Sequence, residues 1–300
     1  MGFISYVWES RLGLKTINDR FSLKDKIAVV TGASSGLGVQ FSKVLASAGA
    51  VVVLAARRFE NLEGVSKEIL DEGGISVPMK CDITRSSDVE AMFNDIKRRF
   101  GGVDILVNNA GIVDGPYLPE RVPDHAFEEV ISTNVVGLWY ASSYGGRQML
   151  ERGEGGSIIN IASIYGVGGA CDTGPGYQAS KGAVINLTRN LAVSWADRRV
   201  RVNAISPGFF PSEMTNPYFS VDGLKRDIER NTPMGRVGDQ DELSGVLLLL
   251  ASDAGSYITG QNFLIDGGYS ASIGQSRWSE DVYGVMKGTF GKDWSHIGKT

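Results

Sequence analysis

From Lys26 onward the chain alternates short apolar runs with longer stretches of helical period, and this rhythm limits the fold more than any other feature. Ile27 to Val30, Val51 to Leu54, Val77 to Cys81, Ile105 to Val107, Ser157 to Ile161, Val200 to Ile205 and Asn262 to Ile265 read as strands. Between them Gly36 to Ala48, Glu60 to Leu70, Asp88 to Phe100, Phe127 to Leu150, Tyr177 to Ala196 and Asp241 to Ala251 read as helices. Parallel neighbours need a crossover, usually a helix, and a sheet covered on both faces carries near-continuous apolar strands. The pattern predicts an α/β fold with a doubly wound, mostly parallel sheet of the Rossmann type.

No linker interrupts Lys24 to Ala271, so residues 24–271 are expected to form a single domain of about 250 residues. Residues 1–23 read as an N-terminal extension, either one docked helix or an extended arm. Residues 272–300 read as a C-terminal tail that either hangs free or folds over a neighbour's active site, docking being favoured by the aromatic anchors Trp278, Tyr283, Phe290 and Trp294. Glycine is the compositional outlier, 39 residues against 9 prolines without a repeat period, which suits tight turns and close backbone approach. The net charge of -4 lacks the basic excess of a nucleic-acid binder, so that partner class is set aside.

Cys81 and Cys171 are the only cysteines, which excludes a disulfide scaffold and makes a reducing cytoplasmic setting the default. Cys81 reads as a buried thiol. With His125 and His296 as the only histidines, no metal site rich in histidine or cysteine is expected. The longest apolar runs, Val51 to Ala56 and Val246 to Ala251, fall far below the ~18 residues of a membrane helix. Met1 to Leu14 carries Glu9 and lacks a basic start, so no signal peptide is read there.

The first strand leads into Thr31-Gly32-Ala33-Ser34-Ser35-Gly36-Leu37-Gly38 and then a helix. That context brings backbone N–H groups and a helix N-terminus to a pyrophosphate. Gly32 permits the turn, Gly36 lets the backbone approach, and Gly38 allows close helix packing; a plain strand-to-helix turn is the alternative. No Gly-Lys-Ser/Thr follows, which excludes a Walker A loop. An acid at the end of the second strand, about 20 residues on, would accept from a ribose 2′-hydroxyl and repel a 2′-phosphate. Here Arg57 and Arg58 follow Ala56, which favours NADP(H) unless both are merely a solvated helix start. Asp82, after the third strand, either accepts from an adenine amino group or closes an Asx turn.

Tyr177-Gln178-Ala179-Ser180-Lys181 sets a phenol and an ammonium one helical turn apart on one face. A cation so placed stabilises phenolate and lowers a tyrosine pKa from about 10 toward neutrality. A second such pair, Tyr283 with Lys287, has no strand, serine or glycine turn near it. Ser163 follows a strand and either polarises a carbonyl oxygen or caps a turn. Asn134 sits inside a helical stretch, where asparagine is unfavourable unless it has a specific partner, marks a distortion or is simply exposed. Asn108-Asn109-Ala110-Gly111 ends the fourth strand and either walls a crevice or turns the chain.

Taken in order, Thr31 to Gly38, Asn108 to Gly111, Asn134, Ser163, Tyr177 with Lys181, and Pro207-Gly208 resemble the short-chain dehydrogenase/reductase family in its compact one-domain branch. The resemblance covers Leu23 to Ser270, including Met234-Gly235-Arg236-Val237-Gly238 and Ile265-Asp266-Gly267-Gly268. It implies Tyr177 as general acid/base, Ser163 orienting the carbonyl, Lys181 lowering the tyrosine pKa and binding the nicotinamide ribose, and Asn134 holding a water in a proton relay. The cofactor would supply the hydride. The implied cofactor-binding residues are Gly32, Ser34, Ser35, Gly36, Leu37, Gly38, Arg57, Arg58, Asp82, Ile83, Asn109, Ala110, Gly111, Tyr177, Lys181, Pro207, Gly208, Phe210 and Ser212. Homotetramers or homodimers through the helices of Phe127 to Leu150 and Tyr177 to Ala196 are implied as well. Three departures stand out: one extra residue between Ser163 and Tyr177, Phe210 where a smaller branched residue is usual, and the tail beyond Ala271.

The expected activity is hydride transfer between NADP(H) and a ketone or secondary alcohol. Alternatives are an NAD(H)-dependent polyol or sugar dehydrogenase and a non-catalytic NADP(H) sensor on the same fold. The intact Asn134, Ser163, Tyr177 and Lys181 set counts against the sensor. The Gly-x-x-x-Gly-x-Gly spacing and the lack of a C-terminal substrate domain count against an epimerase or dehydratase. Ile164, Tyr165, Val167, Phe209, Phe210, Met214, Tyr218 and Phe219 would form an apolar, aromatic wall without an arginine cluster, which favours a neutral or apolar carbonyl substrate.

Overall fold

The computed structural model describes residues 16–115, 117–171 and 173–272, with backbone only for Pro217 and Tyr218. Most of the N-terminal extension and the whole tail after Ser272, including its four aromatic anchors and the Tyr283 and Lys287 pair, lie outside the described residues. After a short helix α1 (Ile17–Phe21), strand β1 (Ile27–Thr31) is followed by α2 (Leu37–Ser47), β2 (Val51–Ala56), α3 (Phe59–Asp71) and β3 (Ile75–Lys80). Then come α4 (Ser86–Phe100), β4 (Ile105–Asn108), α5 (Asp124–Ile131), a π-helical segment (Ser132–Gly137), α6 (Leu138–Arg152) and β5 (Gly156–Ile161). The chain continues with α7 (Pro175–Trp195), β6 (Val200–Pro207), α8 (Asn216–Phe219), α9 (Asp222–Asn231), α10 (Ser244–Ala251) and β7 (Asn262–Ile265).

The seven strands form one sheet in the order β3-β2-β1-β4-β5-β6-β7, and all its pairings are parallel. Side chains alternate across each strand. Ala28, Val30, Val52 and Leu54 therefore pack with Phe41, Leu45 and Leu62 on one face. Val29, Val53 and Leu106 pack with Phe93, Ile96 and Met149 on the other. Burying each such large side chain contributes about 1.5–3 kcal/mol, which is why the strands read as apolar runs. The strand order reverses between β1 and β4, and ligands of open α/β sheets bind outside the carboxyl ends of the strands at such a point.

Several boundaries differ from expectation. β3 starts at Ile75 and contains Pro78, which an edge strand tolerates because the missing N–H faces away from the sheet. The last helix begins at Ser244, after a 3-10 turn over Gln240–Leu243 whose capping box joins Asp239 and Glu242. The single helix expected over Phe127 to Leu150 is helical from Asp124 to Arg152 but widens to π geometry at Ser132–Gly137, around Asn134. Helix α9 is not expected from the apolar pattern, since Leu224 and Ile228 are its only large apolar side chains and Ile228 alone is buried.

Candidate active site

The turn after β1 is shaped by its glycines. Gly32 (φ 67°) and Gly36 (φ 56°) hold left-handed backbone that other residues adopt only with strain. A Cβ on Gly38 would collide with the Gly32 carbonyl oxygen, so α2 can approach the turn this closely only with glycine there. Asn109 braces the turn from β4: its Nδ2 donates to the carbonyls of Thr31 (3.0 Å) and Gly32 (3.2 Å). Thr31 Oγ1 in turn accepts from the N–H groups of Asn109 (3.0 Å) and Ala110 (3.2 Å).

Above the carboxyl ends of the strands lies a crevice of about 550 Å³. Every expected cofactor-binding residue lines it except Gly38, which backs the turn from behind. At one end Arg57 and Arg58 are exposed. Arg58 Nη2 donates to Ser35 Oγ (2.7 Å) and to Glu213 Oε2 (3.0 Å), so the guanidinium spans from the glycine turn to the segment after β6. The Arg58 and Ser35 hydrogen bonds hold the Glu213 carboxyl below the usual carboxylate range. Asp82 lines the crevice and also closes an Asx turn, accepting from the Thr84 N–H at 3.0 Å and its hydroxyl at 2.8 Å. The two alternatives posed for Asp82 are thus compatible.

At the other end Ser163, Tyr177 and Lys181 line the same crevice. Ser163 follows β5 in extended conformation, and its Oγ accepts from the Tyr165 N–H at 3.2 Å. Tyr177 and Lys181 occupy one face of α7, with Lys181 Nζ 5.4 Å from the centre of the Tyr177 ring. Lys181 is 5% exposed, and its Nζ donates to the Ile161 carbonyl at 2.8 Å. Burial disfavours its charge and draws its pKa down to about 8. The Tyr165 ring meets Tyr177 edge-on at 6.4 Å and Phe209 at 6.2 Å, and Phe209 meets Tyr269 at 5.2 Å. A chain of edge-on ring contacts thus runs from the phenol through Tyr165 and Phe209 to Tyr269.

Asn134 stands apart from the crevice lining. It is 1% exposed, and its amide is engaged by other groups. Its Oδ1 accepts from the Ile112 N–H (2.8 Å), while Nδ2 donates to the Ile112 carbonyl (2.9 Å) and to Ser180 Oγ (3.0 Å). Asparagine thus has the specific partners that its helical position demands, and it also coincides with a distortion. Of the expected wall, Ile164 is buried in the fold, Val167 is exposed, and the Tyr218 side chain is outside the described residues. Phe210 touches the crevice, but its ring lies against Gly238, where a Cβ would overlap it. Glu213 and Thr215 also line the crevice, and their place shortly after Pro207-Gly208 is the sequence signal for them; Asp114 carries no such signal.

A glycine turn with a helix behind it, cations at one end and a phenol with an ammonium at the other fit an elongated dinucleotide laid across the switch point. Comparison with known proteins agrees. A family model described as Enoyl-(Acyl carrier protein) reductase matches residues 32–270. A 2-dehydro-3-deoxy-D-gluconate 5-dehydrogenase from Formosa agariphila is 35% identical over 261 residues, covering 86% of this chain and 97% of the relative. A probable NADP-dependent mannitol dehydrogenase from Yarrowia lipolytica is 36% identical, covering 85% of this chain and 91% of the relative. Among solved structures, a gluconate 5-dehydrogenase from Burkholderia cenocepacia in complex with NADP and tartrate superposes with a TM-score of 0.82 at 31% identity, covering 86% of this chain and 100% of that one. The chain belongs to the short-chain dehydrogenase/reductase family, a class of oxidoreductases.

Proposed function

We propose that this protein interconverts a secondary alcohol of a polyol, sugar or sugar acid with the matching ketone, using NADP(H) in preference to NAD(H). The observation that carries this reading is that the glycine turn, Arg57 and Arg58, and the Ser163, Tyr177 and Lys181 group all line one crevice. Relatives that act on sugar acids and mannitol, and an NADP-bound neighbour, support both the substrate class and the cofactor, and they move the reading from the neutral or apolar carbonyl expected of the aromatic wall to polar polyols and sugar acids.

A bound nicotinamide cofactor would supply or accept the hydride. Gly32, Ser34, Ser35, Gly36 and Leu37 would hold its pyrophosphate, with Gly38 letting the helix close up behind. Arg57 and Arg58 would take a 2′-phosphate through charge-assisted hydrogen bonds. Asp82 and Ile83 would hold the adenine, Asn109, Ala110 and Gly111 line the middle of the crevice, and Pro207, Gly208, Phe210 and Ser212 would hold the nicotinamide. Ser163 donates to the carbonyl oxygen, Tyr177 gives it the proton, and the Lys181 ammonium stabilises the phenolate that remains. To Asn134 we assign a holding role, since its amide already grips Ile112 and Ser180.

We assign catalysis to residues 24–271, with 1–23 and 272–300 as extensions, and expect a cytoplasmic homotetramer or homodimer. Exposed Trp139 (42%) on α6 and Val193 (83%) on α7 support association through those helices. No helix of the described residues is long and apolar enough to cross a membrane.

The experiment is NADPH oxidation, with a matched NADH arm and a Tyr177→Phe control, across keto-sugars, keto-sugar acids, 3-oxoacyl thioesters, steroids and simple ketones. Turnover confined to keto-sugars or keto-sugar acids, preferring NADPH and lost in the control, is expected. Tight NADPH binding without turnover across the panel would favour a sensor instead.

A further inference from the structure

Asp114 follows the cofactor wall, three residues beyond Gly111, yet its carboxylate serves a helix far along the chain. Its Oδ2 accepts from the Gly176 N–H at 2.8 Å, and its Oδ1 accepts from the Tyr177 N–H at 3.1 Å. Both donors belong to the first turn of α7, where N–H groups have no partner within the helix. The helix lacks a side-chain cap of its own, because Gly174 occupies the N-cap position. A negative charge is also favourable against a helix N-terminus.

The surroundings are built around this carboxylate. Asp114 is 5% exposed. A Cβ on Gly174 would overlap its carboxyl group, and one on Gly176 would stand 2.8 Å from Oδ2. Glycine on both sides of Pro175 is what lets an acid enter the helix start.

The other side of the Tyr177 peptide is held as well. Ser180 Oγ donates to the Tyr177 carbonyl at 2.7 Å and accepts from Asn134 Nδ2 at 3.0 Å. Asn134 in turn brackets both backbone groups of Ile112, two residues before Asp114. The path from Ile112 through Asn134, Ser180 and Tyr177 to Asp114 closes on itself through the backbone of residues 112–114. Tyr177 is thereby tied to the segment that walls the cofactor crevice.

We propose that Asp114 is a positioning residue for Tyr177: its carboxylate fixes the first turn of α7, and so the phenol, relative to the cofactor wall. This rests on the reading of Tyr177 as proton donor. A misplacement of about 1 Å costs up to a hundredfold in rate, so a small tilt of this turn is enough to matter.

The test compares Asp114→Asn, which keeps one acceptor oxygen, with Asp114→Ala, which keeps none. Each is assayed with the panel compound turned over fastest, with NADPH and with NADPH deuterated at nicotinamide C4. We expect kcat to fall about tenfold in Asp114→Asn and about a hundredfold in Asp114→Ala, with KM and NADPH affinity within about threefold of wild type. The deuterium isotope effect on kcat should rise as the chemical step becomes limiting. Amide hydrogen exchange of the 174–181 peptide, measured without substrate, should quicken in both variants while β1 and β4 keep wild-type protection.

Unchanged kcat and isotope effect per folded molecule would overturn the proposal, as would unchanged exchange at 174–181. A loss of kcat no greater than the loss of folded protein would also overturn it. Turnover surviving in Tyr177→Phe, or no turnover of any panel compound by wild type, would instead overturn the underlying assignment of Tyr177. An inactive Tyr177→Phe beside fully active Asp114 variants would remove only the role of Asp114.

Discussion

The ammonium of Lys181 stands 5.4 Å from the centre of the Tyr177 ring, in a site so buried that its pKa is drawn down to about 8. Below that pH the charge is present and stabilises the phenolate left after proton donation. Above it the charge is lost and the phenolate loses its support. For ketone reduction, kcat/KM is expected to be level at neutral pH and to fall as pH rises through about 8. A profile that stays flat to pH 10 would contradict the role given to Lys181.

The same burial has a sign for stability. In the unfolded chain the lysine holds its proton up to about 10.5, and in the folded chain only to about 8. Between these values the unfolded state binds more protons, so stability rises with pH across that window and the full penalty stands below it. Lys181→Met should therefore be inactive yet more stable at neutral pH, by up to about 3 kcal/mol, and should lack the rise between 8 and 10.5. Denaturant unfolding of both proteins at the two ends of the window measures this. A variant destabilised at neutral pH would show that the hydrogen bond to Ile161 outweighs desolvation.

Arg58 is shared between Ser35 and Glu213, and a 2′-phosphate would compete with the glutamate for it. Removing Arg58 with Arg58→Ala should weaken NADPH binding about 10- to 100-fold, the worth of a charge-assisted hydrogen bond, and leave NADH nearly unchanged. Glu213→Gln frees the guanidinium and should move the NADPH-to-NADH ratio the other way. Because the pair is exposed, neither change should alter stability by more than about 1 kcal/mol. Fluorescence titration of the two reduced cofactors gives the four comparisons, and equal losses for both cofactors would refute the assignment.

The two cysteines differ as their surroundings do. Cys81 is buried beneath the crevice, and desolvation pushes its thiol pKa up to about 12, while Cys171 is exposed. Native protein treated with iodoacetamide should take up one adduct, at Cys171, and a second only on unfolding. Peptide mass mapping reads this directly, and rapid native alkylation of Cys81 would contradict its burial.

Much of the fold is legible in the amino-acid sequence. Parallel strands covered on both faces must be apolar throughout, so β1, β4, β5 and β7 stand out to within one residue, while β2 and β6 each run two residues beyond the apolar run that marks them. The glycine turn was legible for a comparable reason, since Gly32, Gly36 and Gly38 each meet a backbone requirement that leaves glycine in the sequence. Asn134 showed as a residue out of place in a helix, but its partners did not, because Ile112 and Ser180 come from other elements. Asp114 had no local pattern at all: the groups that explain it lie 62 and 63 residues away. Helix α9 was hidden because it is strongly polar: it has only Leu224 and Ile228 as large apolar side chains, too few to mark a helix by an apolar run.

Tyr177 protonates the oxygen of the same carbon that receives the hydride. NADPH deuterated at both nicotinamide C4 positions, incubated with the protein and a keto-sugar or keto-sugar acid, tests it by mass spectrometry of the product. One deuterium is expected on the new carbinol carbon with wild type and none with Tyr177→Phe. An alcohol product without the label, or labelled product formed equally by Tyr177→Phe, would contradict it.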